Sequence, residues 1–351
     1  KRLFLFCISF LGLGALALTG QEKALPFKAG TLTPEQMVST MKLDGSGGWA
    51  VFLQPEATGS VPTFYRSIGG TWTLADVPSL GFHNGTKISG VVFNESLNEV
   101  AAFGENRAFF LTPNIFTPSL DDWVASHPSR SIILEENESV LDIRVDGTTA
   151  AVIWSQGEIN PAYYLTIYER DVATFWQELA THSIDVPGPF GDLPVSLSSL
   201  SLRGDRVAIG AASENEIRIY ERNAGGADQW GEVKRLVDSP SQPVRGREIE
   251  LVADDTLLDV VSTTDGDQVI TKLMRYRASE GGAGQWGEQA PLREYQNLGE
   301  VFLDSRASRL LVTITNFNLG SQELLFNQVA NVDLEVLLSL GGGTWGLEEQ
   351  I

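Results

Sequence analysis

The chain has 351 residues, a formal net charge of −20 and a single cysteine. This acidity argues against a nucleic-acid partner, which needs a basic face, and against adsorption to anionic lipid. At this length, repetition of a small unit is a common way to extend a fold beyond one core.

The N-terminus has the pattern of a secretory signal. Lys1-Arg2 precede an apolar run, Leu3–Leu18, and small and polar residues follow it. We expect residues 1–20 to be a signal peptide, with a membrane anchor as the less favoured alternative. Cys7 lies inside this run, so the exported chain, beginning near Gln21, would hold no disulfide. The expected location is secreted, periplasmic or at the cell surface, with no membrane insertion after leader cleavage.

A repeat with a tryptophan at its end organises the remaining chain. The units are expected at about residues 33–80, 81–132, 133–185, 186–239, 240–296 and 297–351. Their tryptophans are Trp72, Trp123, Trp176, Trp230, Trp286 and Trp345, at spacings of 51, 53, 54, 56 and 59 by subtraction. Each is interpreted as a core anchor where two units meet, because large aromatic side chains usually serve packing.

Each unit predicts four short strands. The fourth shows the pattern most clearly: Leu200 and Leu202 alternate with polar residues, Val207–Ala211 is apolar, and turns are expected at 203–205 and 223–226. In chain order the predicted strands are 41–43, 49–53, 63–67, 72–77; 91–93, 100–103, 107–111 and one at Trp123; 140–145, 150–154, 163–168, 175–179; 200–202, 207–211, 217–220, 230–233; 249–252, 257–261, 269–275 and from Trp286; 301–303, 309–314, a segment within 323–340 and one at Trp345.

Six units of four strands predict an all-β fold, a six-bladed β-propeller formed by residues 21–351 as a single domain. Seven blades are expected instead if the chain is a fragment.

The fourth unit resembles the FG-GAP repeat of integrin α-subunit propellers and of secreted bacterial proteins. The resemblance rests on Phe190-Gly191, Gly204-Asp205, Val207–Ala211, Ile217–Arg222 and Trp230-Gly231-Glu232. It implies a propeller and extracellular binding or adhesion, often with calcium. The expected partner is therefore a protein or glycan ligand at one propeller face.

Calcium is not expected despite this resemblance. The turns between first and second strands lack the alternating Asp and Asn oxygens that calcium coordination requires, as in Asp146-Gly147-Thr148 and Arg203-Gly204-Asp205. The latter tripeptide is interpreted as a hairpin turn and not as an integrin ligand. No metal-binding or cofactor-binding residue is predicted.

Catalysis has little support in the sequence. His83, His127 and His182 fall in separate units, and no Gly-x-Ser-x-Gly elbow occurs. No catalytic residue is predicted, and the three histidines are expected at the surface or between blades.

The alternative is a sialidase-like or other glycoside-processing propeller. The segment Ser339–Trp345 resembles the Asp-box turn of sialidase-like propellers, although it lacks the aspartate and is one residue short. Such an enzyme would need a ring of charged groups at the axial mouth, drawn for instance from Arg144, Arg203, Arg206 and Glu248.

Overall fold

A computed structural model describes residues 42–43, 49–56, 59–68, 71–74, 88–94, 97, 99–113, 123–125, 131–157, 161–170, 175–184, 197–211, 215–237, 246–253, 256–265, 268–278, 280, 286–296, 301–306, 309–317, 329–341 and 344–350. The expected signal peptide, His83 and His127 lie outside these residues. No helix in the described part of the chain is long and apolar enough to cross a membrane.

The described residues form strands in six antiparallel sheets, numbered I to VI in chain order. Sheet I contains β1 (Lys42–Leu43), β2 (Trp49–Glu56), β3 (Gly59–Ile68) and β4 (Thr71–Leu74). Sheet II contains β5 (Gly90–Asn94), β6 (Glu99–Gly104), β7 (Arg107–Pro113), β8 (Trp123–Ala125) and β9 (Ile132–Ile133). Sheet III contains β10 (Glu138–Asp146), β11 (Thr149–Gln156), β12 (Ala162–Glu169) and β13 (Gln177–Ile184).

The remaining three sheets repeat this plan. Sheet IV contains β14 (Leu197–Arg203), β15 (Arg206–Ala211), β16 (Glu216–Gly226) and β17 (Gln229–Val237). Sheet V contains β18 (Ile249–Ala253), β19 (Thr256–Asp265), β20 (Gln268–Arg277) and β21 (Gly287–Gln296). Sheet VI contains β22 (Val301–Arg306), β23 (Arg309–Phe317), β24 (Val329–Gly341) and β25 (Thr344–Gln350).

Each sheet is a meander in which four consecutive strands pair in chain order. This is the topology of a β-propeller blade, so the prediction of an all-β chain of four-stranded units is confirmed. The six tryptophans occupy equivalent places in these meanders. Each lies within the first two residues of its fourth strand or directly before that strand, at β4, β8, β13, β17, β21 and β25.

The structure corrects three local predictions. The turn expected at 223–226 lies instead at Ala227-Asp228, because β16 continues to Gly226 through a bulge between Arg222 and Gly226. Asp228 supplies the positive φ of 56° that this tight turn needs. The fourth strand of sheet III begins two residues later than expected, and β9 is an additional strand that pairs with β7.

The chain divides into two compact units, residues 1–158 with 164–178 and residues 159–163 with 179–351. In the first unit, buried side chains of sheets II and III form one core that includes the fully buried Phe110, Ile143 and Val152, with Trp176 packed against it. In the second unit, one core joins sheets IV and V and includes Trp286. Another core joins sheets V and VI. For Trp176 and Trp286, the predicted packing where two sheets meet is confirmed.

Candidate functional site

The first strands of sheets IV, V and VI are joined by polar side chains, which we call the first-strand ladder: Ser199, Ser201, Glu248, Glu250 and Ser305. β14 lies beside β18, and β18 lies beside β22. The Ser199 hydroxyl accepts a hydrogen bond from the Ile249 backbone N–H at 3.1 Å, and the Ser201 hydroxyl accepts one from Leu251 at 2.9 Å. These two hydrogen bonds connect β14 to β18 at positions two residues apart along β14.

The two glutamates of the ladder continue the same pattern toward sheet VI. Glu248 accepts a hydrogen bond from the Leu303 backbone N–H at 3.1 Å. Glu250 accepts hydrogen bonds from the Ser305 N–H at 3.3 Å and from the Ser305 hydroxyl. Its other oxygen accepts a hydrogen bond from the Ser201 hydroxyl at 3.2 Å. One carboxylate therefore connects the first strands of three consecutive sheets.

These structural contacts decide how the ladder can be used chemically. A carboxylate that accepts several hydrogen bonds is held in one orientation. Removal of such an acceptor would leave buried or half-buried donors without partners, which costs about 1–3 kcal/mol each. The geometry therefore suits a structural role, in which the ladder stabilises the packing of sheets IV, V and VI.

Two of the charged residues proposed for an enzymatic mouth form ion pairs with carboxylates on their own or a neighbouring strand. Arg144 pairs with Asp142 in its own strand at 2.6 Å. Arg206 pairs with Glu221 on the neighbouring strand at 2.9 Å. Glu248 directly precedes β18, whereas Arg203 ends β14.

β14 and β18 lie side by side with Ser199 level with Ile249, as the hydrogen bond between them shows. Five residues of strand therefore separate the levels of Glu248 and Arg203, or about 16 Å at the usual rise. The structure thus does not bring Glu248 together with the hairpin that carries Arg203 and Arg206.

Arginines also stack on the repeat tryptophans, a feature that the sequence interpretation missed. In the first unit, Arg170 is 7% exposed, pairs with the buried Glu99, and lies over the Trp176 ring at 4.4 Å. The Phe110 ring lies 5.1 Å from the same guanidinium group. Planar guanidinium groups stack well on aromatic faces, and the attraction strengthens when both partners lose water.

The second unit uses the same chemistry in two forms. Arg222, which follows a Tyr-Glu pair as Arg170 does, lies 5.8 Å from the Trp230 ring and pairs with exposed Asp205 at 3.1 Å. In sheet V, alanine (Ala278) occupies the position eight residues before the tryptophan, where sheet IV has Arg222. The guanidinium group of Arg206, from sheet IV, lies over the Trp286 ring instead, 5.6 Å from its centroid. The detectable sequence signal was the repeated Glu-Arg pair, whose arginine lies six residues before Trp176 and eight residues before Trp230, by subtraction.

His182, in β13 of sheet III, contacts Tyr220 in β16 of sheet IV, in agreement with the expectation that the histidines lie at the surface or between blades. Its ring centroid is 4.8 Å from that of Tyr220. Burial lowers the pKa of His182, and the nearby Glu232 carboxylate partly opposes this shift. The buried Nε2 atom has no hydrogen-bond partner among the described residues. The geometry therefore favours the neutral ring.

The motif residues of the hairpins serve ordinary turns. Gly204 has a φ of 54° and lies with Asp205 at the tip of the β14–β15 hairpin, so the structure agrees with a turn at 203–205. The described ends of the Asp-box-like segment lie in β24 and β25, where Ser339 pairs with Trp345 and Gly341 with Thr344. Within the described ranges, no group of three or more His, Cys, Asp or Glu side chains could hold a metal ion.

No family model and no curated protein matches the chain. Among solved structures, a proposed 6-phosphogluconolactonase from Bacteroides fragilis is similar, with a TM-score of 0.51 and 10% identity over 94% of this chain and 85% of that one. The Nup133 β-propeller domain of Vanderwaltozyma polyspora gives a TM-score of 0.48 and 10% identity over 88% and 83% of the two chains. The periplasmic gluconolactonase of Pseudomonas aeruginosa gives 0.44 and 13% over 89% and 85%.

The likeness to the Bacteroides fragilis protein concerns the fold alone, because identity is only 10%. The support for a β-propeller fold is the six successive four-stranded meanders among the described residues. The class of protein is therefore an all-β chain of propeller-type blades.

Proposed function

We propose that the chain is a six-bladed, FG-GAP-like β-propeller that acts as a secreted or surface-associated binding or adhesion module for a protein or glycan ligand. The proposal of export rests on the leader-like residues 1–20. The proposal of six blades is supported by the six sheets of the described chain.

The observation that carries the binding function is the use of the ladder carboxylates. Glu250 holds Ser201 and Ser305, and Glu248 holds the Leu303 backbone. Charged groups that an enzyme would direct at a substrate are here used to join sheets. A stiff scaffold of this kind favours recognition by the loops that it carries, since loops on rigid scaffolds commonly bear function.

The hairpin end of sheet IV is the part of the second unit best suited to such recognition. The β14–β15 and β16–β17 turns lie at the same end of the meander, and Asp205, Asp228 and Gln229 are exposed there. Carboxylate and amide groups accept or donate hydrogen bonds to hydroxyl-rich ligands and to peptide groups. This surface therefore fits either ligand class in the proposal.

Hydrolysis of a glycoside or lactone is the second candidate function. A specific observation favours a lactone, namely the fold likeness to a protein proposed to be a 6-phosphogluconolactonase. Because a shared fold does not fix an activity, this candidate needs a reacting site of its own in the chain.

One set of experiments distinguishes the two candidate functions, binding and hydrolysis. Residues 21–351 would be applied to glycan and protein arrays, and the same preparation would be tested on glycosides, sialosides and lactones. We expect saturable binding without turnover, weakened at least tenfold by Asp228→Lys. Arg247→Glu is the matched control, because exposed Arg247 lies at the other end of the sheets, directly before Glu248 and β18. Catalytic turnover of any substrate in the panel would overturn the proposal in favour of the enzyme.

A further inference from the structure

Three Asn-x-Ser/Thr sequences occur in the chain, at Asn84, Asn94 and Asn137. This pattern is the acceptor for N-linked oligosaccharides, provided that the asparagine is accessible. Asn84 lies outside the described residues, whereas the other two lie in very different surroundings.

The Asn94 side chain is committed to the interior of the first unit. It is 0% exposed, its amide nitrogen donates hydrogen bonds to the Gly147 carbonyl at 2.8 Å and to Glu99 at 3.3 Å, and its oxygen accepts one from the Gly147 N–H at 3.0 Å. A sugar on this nitrogen would remove a donor and bring a large polar group into a closed space. The folded chain therefore cannot carry a glycan at Asn94.

Asn137 lies at the exposed turn between β9 and β10. The turn is held by its backbone, because the Glu138 N–H donates a hydrogen bond to the Glu135 carbonyl at 3.1 Å and the Gly157 N–H donates one to the Asn137 carbonyl at 3.1 Å. Asn137 and Ser139 are both exposed. Within the described residues, no hydrogen bond engages the Asn137 side-chain amide, so an ordered turn presents it to solvent.

We propose that Asn137 is a site of N-linked glycosylation, an inference that rests on the export part of the proposed function. The co-reactant is a lipid-linked diphospho-oligosaccharide, supplied together with a transferase in the secretory compartment. The Asn137 amide nitrogen forms a bond to C1 of the first sugar and loses one proton. The bond between C1 and the diphosphate oxygen breaks, and the lipid diphosphate leaves with the electron pair. A bulky hydrophilic glycan would keep this turn out of a tight protein interface.

The test is secretion of the full chain from a eukaryotic host, once behind its own residues 1–20 and once behind a proven leader. Trypsin places Asn137 in residues 131–144 and Asn94 in residues 88–107, with no other lysine or arginine inside either peptide. Peptide N-glycosidase in heavy-oxygen water converts a glycosylated asparagine to labelled aspartate. We expect the label in the Asn137 peptide and none in the Asn94 peptide.

Variants separate the motif from its surroundings. Asn137→Gln and Ser139→Ala should each abolish the label, whereas Glu136→Gln, one residue before the motif, should leave it unchanged. If the chain is secreted behind the proven leader and the Asn137 peptide is unlabelled, the site proposal is overturned. If it is labelled there but the native leader gives no secretion, the site proposal is supported and only the export proposal fails.

Discussion

Glu99→Gln should destabilise the first unit by removing the buried counter-charge of Arg170. Glu99 and Arg170 are 3% and 7% exposed, and the guanidinium of Arg170 also lies over Trp176 and Phe110. The glutamine keeps the shape and one acceptor oxygen for Asn94. The change therefore leaves a buried arginine without its counter-charge while altering the packing little.

The size of the effect follows from burial. Removing one partner of a buried ion pair typically costs about 3–5 kcal/mol, whereas an exposed pair contributes about 0–1 kcal/mol. Since both groups are almost fully buried, we expect Glu99→Gln to lower the free energy of unfolding by about 3–5 kcal/mol. The stacking of Arg170 on Trp176 remains and limits the loss.

Urea unfolding followed by tryptophan fluorescence measures this change. Asp205→Asn is the matched control, because Asp205 pairs with the equivalent Arg222 at 3.1 Å but has a side chain that is 72% exposed. The control should cost less than about 1 kcal/mol. In the double variant Glu99→Gln, Arg170→Met, part of the loss should be recovered, because the uncompensated charge is gone. Equal effects of Glu99→Gln and Asp205→Asn would show that burial does not set the contribution of these ion pairs.

Three further predictions concern backbone strain and titration. Gly246→Ala should destabilise the second unit by at least about 2 kcal/mol in thermal unfolding, because the φ of Gly246 is +74° and an added Cβ would lie 2.6 Å from a backbone oxygen. Gly204→Ala is the control: its φ is +54° but the space around it is open, so it should cost only about 1–2 kcal/mol in the same assay. The lowered pKa of His182, which burial causes and Glu232 partly opposes, means that the unfolded chain takes up a proton first as the pH falls below 6.5. The melting temperature should therefore fall between about pH 7 and pH 5, less steeply in His182→Gln, and identical slopes in the two proteins would contradict this assignment. Burial and two nearby glutamates raise the pKa of Tyr168 to about 12. Tyr168→Phe should therefore remove a high-pH step from the ultraviolet phenolate titration. Loss of a step near the ordinary pKa of 10.0 would contradict this assignment.

Local sequence signals predicted the strands well because each unit repeats them. Val207–Ala211 lies in a strand that is buried almost throughout, as its apolar run indicated. Trp230 lies at the start of the fourth strand of sheet IV and Trp286 directly before that of sheet V, and a glycine-rich stretch of sequence precedes each of them. Period and turn chemistry are local properties, and one sequence is enough to reveal them.

The contacts between sheets were not predictable in the same way. Glu250 joins Ser201 and Ser305, which lie 49 and 55 residues from it along the chain. No local pattern identifies such partners, since they depend on the register of neighbouring sheets. Arg206 looked equally suitable for a catalytic mouth until the structure paired it with Glu221 and stacked it on Trp286.

The bulged end of β16 shows a further reason for error. Asn223–Gly226 has the composition of a turn, yet the chain continues as strand and turns at Ala227-Asp228. Asn223 itself has a φ of 69°, and its side chain accepts a hydrogen bond from the Asp228 N–H at 2.7 Å. Asn223 and Gly226 adopt the positive φ that their residue types favour, but within a bulge, and Asp228, which supplies the positive φ of the turn itself, was not predicted.

Recovery of the intact ligand distinguishes binding alone from catalytic turnover. The strongest ligand from the array screen would be incubated in large excess with residues 21–351, and nuclear magnetic resonance would record both its binding and its chemical fate. We expect saturable binding and quantitative recovery of the intact ligand after many binding lifetimes. Conversion of more than one equivalent of ligand per chain, lost on heat denaturation of the protein, would contradict it.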